Sequence, residues 1–294
     1  MRYIVSVGAT RGKVTWVFCL ISWNLKNFFD PKNVREENLT SLKIRDMGKA
    51  LRDARADVVC VQEVGSVEML ERLAMAWCPG GNATARLGIA DDRGIACGIL
   101  TRLPVLYAAD HRPDALGIDL RGPKRGAVHL RVESPLGPVD VLCFHFKSRL
   151  PTMVGSPTLT GEARSDAWRA AEAASLSAYA VTLLDAHRGG HVVLAGDAND
   201  EPGSATLAAL RGATFEELIA PLPSETRATC MFQGQPMTLD HILVSRALRA
   251  QVTEVLVHNA KLRDHGPLLG AARLTVDSDH AAVSARFSAT QKAH

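Results

Sequence analysis

The sequence has no CxxC pair, few aromatic residues, and no apolar run approaching the roughly 18 residues that a membrane span needs. Without paired spacing, Cys19, Cys60, Cys78, Cys97, Cys143 and Cys230 read as small buried hydrophobes, not as a disulfide framework. That favours a reducing compartment, so the expectation is a cytoplasmic protein, or a secreted one if the native start is longer. There is no HExxH zinc motif, no P-loop and no GxSxG elbow, which counts against a zinc protease, nucleotide-driven phosphoryl transfer and an acyl-transfer serine. The net charge of +3 is too small to identify a nucleic-acid binder, although a few arginines around one cleft would supply the field an anion needs. The loop Pro151–Gly161 has no aromatic to stack on a base. No internal repeat or interdomain linker is visible, and no stable protein partner is evident.

What is present is an alternation of strand and helix signals. Arg11 and Lys13 precede the apolar run Val14 to Trp23, which superficially resembles a signal peptide. The run is short, lacks a small-residue cleavage site and flows into Asn24-Leu25, so it reads as the first buried strand. Residues 1–13 are then an extension, and 14–289 a single domain. Leu42, Met47, Ala50 and Leu51 suggest an amphipathic helix, Asp57–Gln62 a buried strand, and Val67–Trp77 a second helix. Consecutive strands follow at Ile95–Thr101, Gly126–Val132 and Val139–Phe146, with turns at Leu103-Pro104 and Ser134–Gly137; such direct joins imply antiparallel pairing. Ala171, Ala174, Ala178, Val181 and Leu184 then form a helical stripe ended by Gly189-Gly190. His191–Gly196, Leu239–Val244, Val252–Val257 and Ala281–Phe287 are strand-like, and Pro202 suits the first turn of a short helix. The fold class expected is α/β, with two mixed sheets packed together and covered by helices.

Polar residues recur where these strands end or begin. The first strand ends at Asn24, the second at Glu63, the Val139 strand at His145-Phe146-Lys147, and the His191 strand at Asp197-Ala198-Asn199-Asp200. Asp240-His241 opens another, and Asp279-His280 precedes the last. Strand-end loops carry functional groups because the sheet places them rigidly. Taken singly, each has a plain reading: Glu63 as a helix cap, Asp197 to Asp200 as an Asx turn, His145 as a core histidine, Asp240 and Asp279 as turn formers. One shared cause explains all of them together. Asn24, Glu63 and Asp279, with Asp197 and Asn199 near, offer only oxygen, which suits a hard cation such as Mg2+ or Mn2+. Histidines and carboxylates beside such a cation fit phosphodiester hydrolysis.

The order of these motifs resembles the endonuclease/exonuclease/phosphatase superfamily, from Ser22-Trp23-Asn24-Leu25 to Ser278-Asp279-His280. The resemblance implies a four-layered α/β/β/α sandwich of the deoxyribonuclease I-like type. It implies Asn24, Glu63 and Asp279 as metal ligands, and Asp197 and Asn199 as the groups that position or deprotonate the attacking water. His280 would contact phosphate, oriented by Asp240, and His145 would donate a proton to the leaving oxygen or bind phosphate. Arg125 resembles a phosphate-contacting arginine of deoxyribonuclease-type members, or is a solvated hairpin charge; Lys147 and Arg149 share a strand end with His145. Lys26 stands where exonuclease III-like repair enzymes carry the Asp of Asn-x-Asp, which argues against abasic-site repair. The later motifs do not match inositol-polyphosphate 5-phosphatases, and the pairing of His145-Phe146-Lys147 with the Asp197 motif looks more like bacterial nuclease-type members. The leading expectation is a Mg2+- or Mn2+-dependent nuclease acting on DNA or RNA. The alternatives are a lipid or small-molecule phosphoesterase and a catalytically inactive binding module; the presence of Glu63, Asp197 and His280 argues against the last.

Overall fold

A computed structural model describes residues 18–112, 125–152, 158–187, 190–266 and 275–288. The expected domain limits at 13/14 and 289 lie outside them. Two six-stranded mixed sheets stack face to face. The first runs in the order β13 (Val252–Val257), β14 (Val283–Phe287), β1 (Phe18–Phe28), β2 (Val58–Val64), β4 (Ala96–Thr101), β3 (Thr84–Leu87). The second runs β5 (Val105–His111), β6 (Ala127–Ser134), β7 (Gly137–His145), β8 (His191–Asp197), β12 (Asp240–Ser245), β9 (Phe215–Glu217). A separate hairpin pairs β10 (Cys230–Phe232) with β11 (Gln235–Met237).

The alternation of each central strand builds the layers. Leu20, Val58 and Cys60 point between the sheets, where they meet Val141, Cys143, Val193 and Ile242. Cys19, Ile21, Val59 and Val61 point outward, against helices α1 (Val34–Asp53) and α2 (Val67–Trp77). Leu142, Phe144 and Leu194 point outward from the second sheet, under α3 (Gly161–Ala186) and α4 (Ala205–Arg211). Four layers result, α/β/β/α, as expected. All six cysteines are free, also as expected. No helix among the described residues is long and apolar enough to cross a membrane.

Local chemistry sets the helix limits. Asn33 caps α1 by accepting from Glu36 N at 3.0 Å, and Ser66 caps α2 by accepting from Met69 N at 3.2 Å. Gly48 lets the two helices touch, because a Cβ there would lie 2.8 Å from Ala76. Pro202 lies ahead of α4 and not in its first turn, because Ser204 caps that helix by accepting from Leu207 N.

Four further local expectations need correcting. The buried stripe of α1 includes Ile44, Met47 and Leu51, while Leu42 and Ala50 are exposed. The Leu103-Pro104 turn does not make a hairpin: it carries the chain from β4 in one sheet to β5 in the other. The buried face of α3 is set by Trp168, Ala173, Leu176 and Ala180, while Ala178 is exposed. A run of alanines has little contrast from face to face, so the large side chains decide which way the helix turns. The first strand does not stop at Asn24. It pairs in parallel with β2 from Leu20 to Asn24, breaks register, and rejoins at Phe28 opposite Val64.

Candidate active site

The connectivity explains why distant polar residues share one edge. β1 and β2 are parallel, as are β7 and β8, so each pair brings its C-terminal ends side by side. β12 runs antiparallel to β8 and β14 antiparallel to β1, so their N-terminal ends reach the same edge. Asp197 is thereby opposite both His145 on β7 and Asp240 on β12. Gly196, just before Asp197, is required here because a Cβ would collide with the Phe144 carbonyl.

Backbone irregularity sharpens the placement. Lys26, Asn27, Glu63 and Asn199 have φ of 49°, 49°, 63° and 52°, a region that disfavours non-glycine residues. The first three sit where the β1–β2 and β2–β4 ladders break register. Bulges of this kind re-aim side chains at sheet rims. Such strain persists only where surrounding contacts over-determine it, and those contacts are present. Asn27 N donates to Glu63 Oε2 at 2.8 Å, and Asn199 N donates to Asp197 Oδ1 at 2.7 Å.

The buried Asp197 carboxylate is the hub. Its Oδ2 accepts from Asn24 Nδ2 at 2.9 Å and lies 3.5 Å from His145 Nε2 and 4.0 Å from His280 Nε2. Asn24 Nδ2 is also 3.4 Å from Glu63 Oε1. His280 Nδ1 lies 2.8 Å from Asp240 Oδ2, the carboxylate–imidazole pair the sequence suggested. Ser278 anchors this end by donating to Asn24 O at 2.7 Å, and Thr229 Oγ1 accepts from Asp240 N at 3.0 Å.

Burial and neighbouring charge divide the titrating groups. Burial, reinforced by Asp240, pushes the Asp197 carboxyl up to about 6. Burial drives His280 down, but Asp240 and then Cys230 outweigh it and hold the imidazole well above its usual range. His145 goes the other way: burial, then Arg125, His280 and Arg93, keep it well below. One histidine is therefore cationic and the other neutral near pH 7.

Asp197, Asp240 and His280 bring ligand atoms within 4.8 Å of one another, the one such His/Cys/Asp/Glu group among the described residues. It differs from the set expected for the metal. Asp240 Oδ2 lies 2.8 Å from His280 Nδ1, and His280 Nε2 faces Asp197 Oδ2 at 4.0 Å. Asn24 links this group to Glu63. Asp279 stands at the same edge but is held by Lys26 Nζ at 2.5 Å.

The basic residues part company. Arg125 is in the wall of a recess beside His145, with only 7% of its side chain exposed. Lys147 also borders it, but its ammonium donates to Ser148 O and Leu150 O, at 2.9 and 2.8 Å, so it contributes charge more than a free donor. Arg149 turns away, 4.0 Å from Asp200 and from Met237 Sδ.

Sequence reading missed several participants. Lys43 is fully buried on α1 and donates to Lys26 O at 2.8 Å. Its position in the stripe with Ile44 and Met47 was a usable signal. Burial lowers its ammonium to about 8, against the opposing pull of Glu63 and Asp279. Asp91 and Arg93, in a loop with no motif, carried no signal.

Comparison with known proteins bears on the fold and the family. The family model described as Endonuclease/Exonuclease/phosphatase family matches residues 21–280. No functionally curated protein matches the sequence. A truncated Caenorhabditis elegans TDP2 superposes with a TM-score of 0.65 at 16% identity, over 92% of this chain and 98% of that one. An endonuclease/exonuclease/phosphatase family protein from Bacteroides thetaiotaomicron gives 0.66 at 16%, over 95% and 99%. The human Nocturnin catalytic domain with a bound sulfate anion gives 0.60 at 15%, over 92% and 94%. At such identities the structures speak for the fold alone, whereas the family match spans most of the sequence. The chain belongs to the endonuclease/exonuclease/phosphatase family and is by that membership a phosphoester hydrolase.

Proposed function

We propose that this protein is a divalent-metal-dependent phosphodiesterase that cuts nucleic acid, with Mg2+ or Mn2+ as its cofactor. The observation that carries the reading is the convergence on Asp197 of Asn24, His145 and the Asp240-paired His280, from four strands and one strand approach.

The donor chemistry fits a hard cation. Asn24 Oδ1 and the carboxylates of Glu63 and Asp279 are all oxygen, and each carboxylate oxygen has more lone pairs than one N–H uses. A cation held there would neutralise phosphate oxygens and favour hydroxide at neutral pH.

The chain's own groups supply the rest. Asp197, anionic above about 6, takes the proton from the attacking water while Asn199 and Asn24 fix its orientation. His280, kept cationic by Asp240, donates from Nε2 to a phosphate oxygen and stabilises charge as it builds. His145, kept low by burial and nearby cations, acts as a hydrogen-bonding phosphate ligand, and the departing oxygen takes its proton from the cationic His280. The positive flank of Arg93, Arg125 and Lys147 suits a polyanion whose backbone is held without reading its sequence. The Nocturnin structure of similar fold holds a sulfate, a tetrahedral oxyanion like phosphate.

The test incubates purified protein and Mg2+ or Mn2+ with plasmid, linear DNA, RNA, sphingomyelin and a soluble phosphomonoester side by side. Nucleic acid should be cut, the cutting should stop in chelator, and added metal should restore it. Turnover confined to sphingomyelin or the monoester would replace the nuclease reading. Cutting that persists in excess chelator would remove the metal from it.

A further inference from the structure

Beside His145 lies a recess of about 180 Å3, walled in part by Arg93, Arg125, Lys147 and Glu172. The scheme above gives its positive flank a backbone phosphate without saying which phosphate enters it. Whole-ligand pockets run to about 300–1,000 Å3, so this one has room for a single group attached to something larger.

Its chemistry selects the group. Arg93 and Arg125 are both tied to one carboxylate: Asp91 Oδ2 lies 3.0 Å from Arg93 Nη2 and 3.1 Å from Arg125 Nε. Asp91 is itself locked by backbone N–H groups of Arg93 and Ile95, at 2.9 and 3.1 Å. Two guanidinium charges thus share one negative charge, and Lys147 adds a third positive one. Among the described residues, Arg125 Nη1 is buried with no hydrogen-bond partner, and so is His145 Nδ1. An unpaired charged donor out of water is costly, so such a group is matched by water, an ion or a ligand. The opposing carboxylate, Glu172, accepts from Lys147 N at 2.7 Å, and burial pushes it up to about 7, which weakens its negative charge near neutrality. The same field is felt at the catalytic edge, where Arg125 and Arg93 both help keep His145 neutral.

We infer that this recess is a subsite for a terminal phosphate, one unit removed from the phosphodiester that is cut. The inference rests on the phosphodiesterase reading and deepens it: the preferred substrate is a nucleic-acid end bearing a phosphate monoester. A dianion answers two guanidinium charges better than the single charge of an internal diester.

The test compares short DNA and RNA tetramers that end in hydroxyl with the same tetramers carrying a 5′- or 3′-phosphate. Binding is read by fluorescence anisotropy at low salt in chelator, so that nothing is cut. One phosphorylated end should bind about tenfold more tightly than the hydroxyl end. Arg93→Gln, a half-exposed position that tolerates change, should bring that ratio to about one. Arg45→Gln, the same charge change on the exposed face of α1, should leave it at about ten. A ratio near one in the parent protein, a ratio that survives Arg93→Gln, or an equal loss in Arg45→Gln would each overturn the subsite. Cutting of the hydroxyl-ended tetramers with Mg2+ is measured separately: its failure strikes the phosphodiesterase reading, whereas cutting without any end preference strikes the subsite alone.

Discussion

Lys26 Nζ lies 2.5 Å from Asp279 Oδ2 and 2.9 Å from His265 Nδ1, so an internal cation already sits on one of the proposed metal ligands. A divalent ion at Asn24, Glu63 and Asp279 must share or displace that ammonium. Removing it, as in Lys26→Met, should tighten Mn2+ binding by about tenfold, or about 1.4 kcal/mol. Titration of the metal against the folded protein without substrate reads this directly. An unchanged or weakened affinity would show that Lys26 does not compete.

Glu63→Gln and His280→Ala should each lower metal-dependent hydrolysis by at least about 100-fold, a loss of about 2.7 kcal/mol of transition-state stabilisation. Both side chains lie at the rim of the sheets, so the melting temperature should change by only a few degrees. Near-parental turnover in either variant would show that the site has been assigned wrongly.

The rate should fall on the acid side as Asp197 protonates. Its carboxyl is raised to about 6, so the base is present above that pH and lost as pH falls through it. Asp240→Asn removes a negative neighbour, which should move this limb to lower pH. The same variant deletes the charge that holds His280 above its ordinary range, so the His280 titration followed by NMR should drop by at least about one unit. A His280 titration unmoved by Asp240→Asn would break the pairing argument.

Glu172 offers a test on stability. Its carboxyl is raised from 4.5 to about 7 in the fold, chiefly by burial. Between those values the folded state binds the proton more tightly than the unfolded chain, so stability falls as pH rises through that window. Glu172→Gln keeps an acceptor for Lys147 N and removes the charge. It should be neutral near pH 4 and stabilising at pH 8, by at most about 3 kcal/mol. Denaturant midpoints at the two pH values measure it, and a gain independent of pH would contradict the cause given.

Much of the candidate site could be read in the chain because strand ends announce themselves. Asn24, Glu63, His145, Asp197, Asp240 and His280 each follow or precede an apolar run, and a run of alternating burial has a definite end. Arg125 was legible only as one of two readings, and Arg149 was placed by adjacency to His145, which says nothing about which way a loop turns. Arg93 and Asp91 lie in a short loop before β4, where no periodicity distinguishes a functional charge from a solvated one.

The sequence by itself determined the layers: period-two burial in the central strands and caps such as Asn33 and Ser66 are local, and each segment specifies them alone. Only tertiary structure decided the chemistry of the shared edge. Parallel and antiparallel pairing set Asp197 against His145 and Asp240, register breaks turned Glu63 and Lys26 into φ-positive backbone, and the Asp240 carboxylate raised His280 against its burial while burial and nearby cations lowered His145. Those properties depend on distances between segments far apart in the chain, and charge and desolvation act through space, not along sequence.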